Sequence, residues 1–115
     1  MAIQTGFVIL VGSDSLGRGD KDLGQLLMQR FMHELAGTNQ KPEEIIFINS
    51  AVKLVIDDSL LFGQLKRLEA EGINLCACST CLDRFDLADK VAIGAKTSMD
   101  AIVSTLTAAV KVLTI

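Results

Sequence analysis

Apolar residues come in short runs broken by polar punctuation, and the period inside each run changes along the chain. Residues 5–13 (TGFVILVGS) form an apolar run with β-branched members, the pattern of a strand buried on both faces. A loop rich in Gly, Ser and Asp follows at 13–20 (SDSLGRGD). From 21 to 36 the period lengthens. Leu23, Leu26, Leu27, Phe31 and Leu35 recur at three and four residues, which predicts a helix with that stripe against the core. Gly37 and Asn39 stop it, with Pro42 beyond. Residues 44–50 (EIIFINS) read as a second buried strand, and 51–56 (AVKLVI) as an apolar connection. Asp57, Asp58 or Ser59 is placed to cap a helix carrying Leu61, Leu65 and Leu68 and ending at Gly72. A strand at 73–78, a short helix at 79–85 and a strand at 90–94 follow. Last come a helix capped by Ser98, with Met99, Ile102, Val103 and Leu106 on one face, and a strand at 109–115.

Strands alternating with helices imply right-handed crossovers and a five-stranded parallel sheet covered on both faces, a single α/β domain over residues 1–115. Ligands of such sheets bind outside the carboxyl ends of the strands. That edge gathers the loops at 13–20, 49–53 and 78–81, and with them Ser13, Gly17, Arg18, Asn49, Lys53 and Ser79 as candidate substrate contacts.

Composition narrows the partners. The net charge is −3 and the 11 basic residues are scattered, which argues against a nucleic-acid face. No apolar run approaches the ~20 residues that a membrane-spanning helix needs. The first five residues lack the basic and apolar regions of an export signal, so a cytoplasmic location is expected. Half the residues are hydrophobic, and with the apolar connection at 51–56 this predicts a homo-oligomer, dimer to hexamer, with that connection or the adjoining helix at or near an interface.

The three cysteines, Cys76, Cys78 and Cys81, fall within six residues. In a chain without an export signal they should be free thiols, and an odd number argues against a disulfide framework. Cys78 stands where a strand meets a helix start, and Cys81 one turn on. Backbone N–H groups at a helix start favour a thiolate, suited to attack on an activated sulfur atom to give a persulfide or mixed disulfide. Cys81 is then a resolving thiol or second carrier. The plainer reading is that free cysteines pack as small hydrophobes, and for Cys76, inside the strand, it is the stronger one. A structural zinc site wants four ligands, and the single histidine, His33, falls on the polar side of the first helix, so no metal is expected. A thioredoxin-like arrangement lacks its later proline, since Pro42 is the only one. The loop 12–19 (GSDSLGRG) lacks the Lys-Ser/Thr of a phosphate-binding P-loop, although its backbone N–H groups can hold an anion. Flavin binding is disfavoured by the lack of Trp and Tyr, and no cofactor is expected.

Taken in order, Gly17-Arg18-Gly19-Asp20 with Leu23-Gly24 and Leu27-Met28, Asn49-Ser50 with Val52-Lys53-Leu54, the run 78–83 (CSTCLD), and Gly94 with Met99 resemble the DsrE/DsrF-like superfamily of small sulfur-handling proteins. Within it the chain is most similar to the DsrE-like domain of YedF-type proteins, which are sulfurtransferase-like and linked to selenium metabolism. The resemblance implies a flavodoxin-like three-layer sandwich, small oligomers, and Cys78 as the persulfide-carrying cysteine, with Cys81 as the second cysteine of the YedF-type motif. Ser79 and Ala51 stand where that family usually has Gly. The partners expected are sulfur donor and acceptor proteins or small thiols, with no nucleic acid and no membrane. Two other readings stay open: a module binding a small anion or thiol metabolite without turnover, and an assembly subunit whose cysteines are packing residues.

Overall fold

Alternation of side chains across an extended backbone gives the first strand two apolar faces, and the computed structural model, which describes residues 3–115, uses both. Strand β1 (Ile3–Val11) sends Phe7, Ile9 and Val11 to one face and Val8 and Leu10 to the other. Strand β2 (Lys41–Phe47) does the same with Ile45 and Phe47 against Ile46. Strand β3 (Asn74–Cys78) divides into Leu75 and Ala77 against Cys76 and Cys78. The short β4 (Ala95–Thr97) and β5 (Lys111–Thr114) complete a five-stranded sheet in the order β4-β3-β2-β1-β5. Every pairing is parallel. Met1 and Ala2, part of the segment read for an export signal, lie outside the described residues.

Helices α1 (Lys21–Gly37), α2 (Phe62–Ala70) and α3 (Ser79–Arg84) share one face of the sheet with a 3₁₀ helix over Asn49–Val55. Met28, Met32, Leu54, Leu65, Leu68 and Leu82 pack there on Ile9, Ile45 and Phe47 in the main core. Helix α4 (Met99–Ala108) alone covers the other face, where Ile102 and Leu106 pack over Val8, Ile46 and Cys78. The layers are α/β/α, as the alternation of elements requires, and they are unequal.

Asp20 caps α1, accepting the Leu23 N–H at 2.9 Å, and Ser98 caps α4, accepting from Ala101 at 3.4 Å. Four expectations are corrected. The core stripe of α1 is Gly24, Met28, Met32, Leu35 and Ala36, while Leu23, Leu26 and Leu27 are exposed. Gly24 sets that rotation. The 13–20 loop lies directly on it, with Leu16 N–H donating to the Gly24 carbonyl at 2.9 Å, and a Cβ at Gly24 would run into Ser15. The connection 51–56 is no surface patch, because Ala51, Val52, Leu54 and Val55 are buried in the chain's own core. Helix α2 begins after Leu61 with no side-chain cap, and Ser59 Oγ instead takes the Leu61 N–H at 3.1 Å. Strand four is Ala95–Thr97, because 91–93 is tied instead to the end of the 3₁₀ segment. There Ala92 N–H donates to the Val55 carbonyl at 2.9 Å, and Val91 bridges Ile56. Gly94, at φ +74°, then turns the chain under the Leu75 carbonyl.

Candidate functional site

Strand β3 runs out at Cys78, whose extended backbone leads straight into α3. Its side chain is fully buried between Val8, Ile46 and Ile102. Cys81 lies three residues on, in the opening turn of α3, and is only partly buried. Side chains at these two positions of a helix start are neighbours, and Cys81 packs against the buried cluster that holds Cys78.

A second element reaches the same sulfur. After β2 the chain turns through Asn49 at φ +53°, a left-handed conformation that Asn tolerates better than most residues. That turn aims the Asn49 N–H at Cys81 Sγ, 3.1 Å away. Burial pushes the Cys81 thiol up; the Asn49 N–H pulls it down, and the neighbouring Cys78 adds to the rise. Once the proton leaves, the Asn49 N–H is already aimed at the charge.

Cys81 opens into a cavity of about 350 Å³ lined by Asn49, Thr80, Cys81, Arg84 and Phe85. Cys81, Arg84 and Phe85 are spaced i, i+3 and i+4, so one side of the helix presents all three. Lys53 Nζ sits 4.6 Å from the centre of the Phe85 ring on the cavity's flank. Sequence reasoning missed Thr80, Arg84 and Phe85, although the helical period starting at Cys81 pointed to the last two.

The expected contacts separate into groups. Asn49 and Cys81 meet in the cavity, with Lys53 beside it. Ser13 joins the neighbouring loop, where Ser50 Oγ donates to Ser13 Oγ at 3.4 Å and accepts the Asp14 N–H at 3.2 Å. Gly17 and Arg18 are exposed and line neither this cavity nor a smaller one of about 160 Å³ that includes Asp14, Lys53 and Asp58. Ser79 is half-buried as the first residue of α3 and borders neither. Cys76 faces the same side of the sheet as Cys78 but lies beside Glu44. Burial, the carboxylate's charge and a hydrogen bond to it push this thiol up to about 11.

No protein-family model and no curated protein matches the sequence. Solved structures do match over the whole domain. The crystal structure of the ychN protein from E. coli superposes with a TM-score of 0.66 at 16% identity, over 94% of this chain and 97% of that one. MTH1491 from Methanobacterium thermoautotrophicum, a protein of unknown function, gives 0.69 at 20% identity over 95% and 97%. BT1422 from Bacteroides thetaiotaomicron, a conserved protein of unknown function, gives 0.66 at 19% identity over 96% and 95%. The chain therefore shares the parallel-sheet α/β fold of these three proteins over 94–96% of its length.

Proposed function

We propose that this chain is a small carrier of sulfane sulfur, sulfurtransferase-like in its chemistry, working through the Cys78–Cys81 pair. Cys81 meets the donor and Cys78 receives the sulfur across the pair. The observation that carries this reading is the contrast between two neighbouring thiols, Cys78 without solvent exposure and Cys81 open to a cavity with a backbone N–H on its sulfur. Attack of Cys81 sulfur on a donor persulfide leaves Cys81–S–SH and the donor thiol. Attack of Cys78 on the outer sulfur then gives Cys78–S–SH and returns the Cys81 thiol. The persulfide on Cys78, which the resemblance to YedF-type proteins implies, is on this account the second station. The same chemistry accommodates selenium, and the donors and acceptors are proteins or small thiols.

Mass spectrometry after exposure to glutathione persulfide, with each cysteine replaced by serine, tests the order. Cys81→Ser should abolish loading at both positions, and Cys78→Ser should leave a single sulfur on Cys81. Loading of Cys78 at the parent rate in Cys81→Ser would overturn the order, and no loading on the native chain would overturn the carrier reading. A binding module without turnover is the second reading, favoured by one observation, the cavity at Cys81 that Arg84, Thr80 and Asn49 line. It expects no gain in mass, only slower alkylation of Cys81 when a small anion is present.

A further inference from the structure

Two ion pairs hold charges together among the described residues, Lys41–Glu71 at 3.3 Å and Lys66–Glu69 at 3.6 Å. Arg84 and Lys53 belong to neither. Arg84 stands in the wall of the Cys81 cavity, and Lys53, which does not line it, lies 4.6 Å from the centre of the Phe85 ring that does. No carboxylate is among the lining residues; Asp83 and Asp86 flank Arg84 in sequence but do not border the cavity. The Thr80 hydroxyl and the Asn49 N–H add neutral donors. A cavity with an unpaired guanidinium, hydrogen-bond donors, no acid and a sulfur nucleophile is complementary to a small anion carrying a transferable sulfur. The planar fork of Arg fits the parallel oxygens of an oxyanion, where an ammonium meets them as a point charge.

Resting on the carrier reading above, we propose that the donor taken at Cys81 is a small sulfur oxyanion of the thiosulfate and thiosulfonate class, its sulfonate group held by Arg84 and Thr80. With thiosulfate, Cys81 sulfur attacks the outer sulfur and the bond to the sulfonate sulfur breaks. Sulfite leaves with the electron pair, and the thiol proton departs with it as bisulfite. The products are Cys81–S–S⁻ and HSO₃⁻, carrying the same total charge as the thiol and thiosulfate, and no outside oxidant or reductant takes part. Lys53, 4.6 Å from the Phe85 ring, adds positive charge near the incoming dianion, and Phe85 supplies the apolar part of the cavity wall.

Loading by thiosulfate and by glutathione persulfide should be measured side by side on the native protein, with sulfite release counted against persulfide formed. One sulfite per Cys81 persulfide is expected. Arg84→Ala should slow thiosulfate loading by about tenfold or more, the scale of a lost hydrogen bond to a charged group, and Arg84→Lys should recover part of it. Anionic and cationic methanethiosulfonate reagents give a second readout. The anionic one should react faster at Cys81 of the native protein, and Arg84→Ala should erase that preference. If glutathione persulfide loads Cys81 and thiosulfate does not, the oxyanion proposal fails while the carrier reading stands. If neither loads, both fail. Thiosulfate loading that is indifferent to Arg84 overturns the recognition assigned to that residue.

Discussion

The three thiols lie within six residues of one another yet occupy three chemical environments, and labelling should resolve them. Cys81, partly open and contacted by an N–H, should alkylate first at neutral pH. Cys76, held up to about 11 beside Glu44, should show a rate that keeps climbing with pH, with no plateau near the ordinary thiol value of about 8.5. A plateau there, found by peptide-mapped alkylation, would remove burial and Glu44 as causes of the shift. The same shift acts on stability. The folded state holds the Cys76 proton more tightly than the unfolded chain, so its contribution is fully present below about 8.5 and is lost as pH rises through about 11. Unfolding midpoints should fall across that window, and less so in Cys76→Ala. Gly94 gives a purely steric test. A Cβ there enters the Leu75 backbone carbonyl and demands φ +74° of an L side chain. Gly94→Ala should cost roughly 2–4 kcal/mol in a denaturant titration. The sequence marked Cys81 and Asn49 by type and position, but not that the Asn49 backbone would be the group that meets the sulfur. A single N–H direction depends on a left-handed turn that residue identity permits without requiring it.

Elements were more legible than their surfaces. Order and type follow from period, and the cap at Ser98 sits where residue type placed it. Asp20→Ala should lower stability by about 1 kcal/mol, read as a shift in unfolding midpoint without a change in the Cys81 alkylation rate. A matching loss of Cys81 reactivity would mean that the 13–20 loop governs the site. What period left undetermined is which stripe of a richly apolar helix turns inward. In α1 the leucine stripe and the Gly24–Met28–Met32 stripe both fit a helical period. The loop packed on Gly24 chooses between them, and that contact lies between segments rather than within either one. Strand four slipped for a related reason. Val91, Ala92 and Ile93 are apolar because they close over the 3₁₀ segment, and a short apolar run does not reveal which backbone it will meet.

At the scale of the molecule, the large apolar residues exposed on the single chain are not those at 51–56. Among them Leu23, Leu26 and Leu27 line one side of α1, and Val112 and Leu113 lie on the edge strand β5. We propose self-association through one of these surfaces. Light scattering should find more than one chain per particle at micromolar concentration, and Leu26→Glu or Val112→Glu should shift it toward the monomer; a native monomer removes the proposal. The single helix covering the far face has a consequence of another kind, for the order in which the chain folds and opens. Strands β1 to β4 assemble from neighbours in sequence, whereas β5 must bring Lys111 back to Phe7, the most distant strand pairing in the sheet. Closing so long a loop is slow and is repaid late. All four β5 residues remain exposed, and α4 buries only Ile102. Helix α4 and β5 should therefore be the last unit to dock and the first to open, with amides exchanging faster than those of β2 and β3. Because Ile102 packs over Cys78, that opening sets how often the buried sulfur is uncovered. Labelling of Cys78 should then follow the exchange of α4 amides as denaturant is raised below the global transition, so that the protection of one thiol becomes a gauge of how firmly the two ends of the chain are held together.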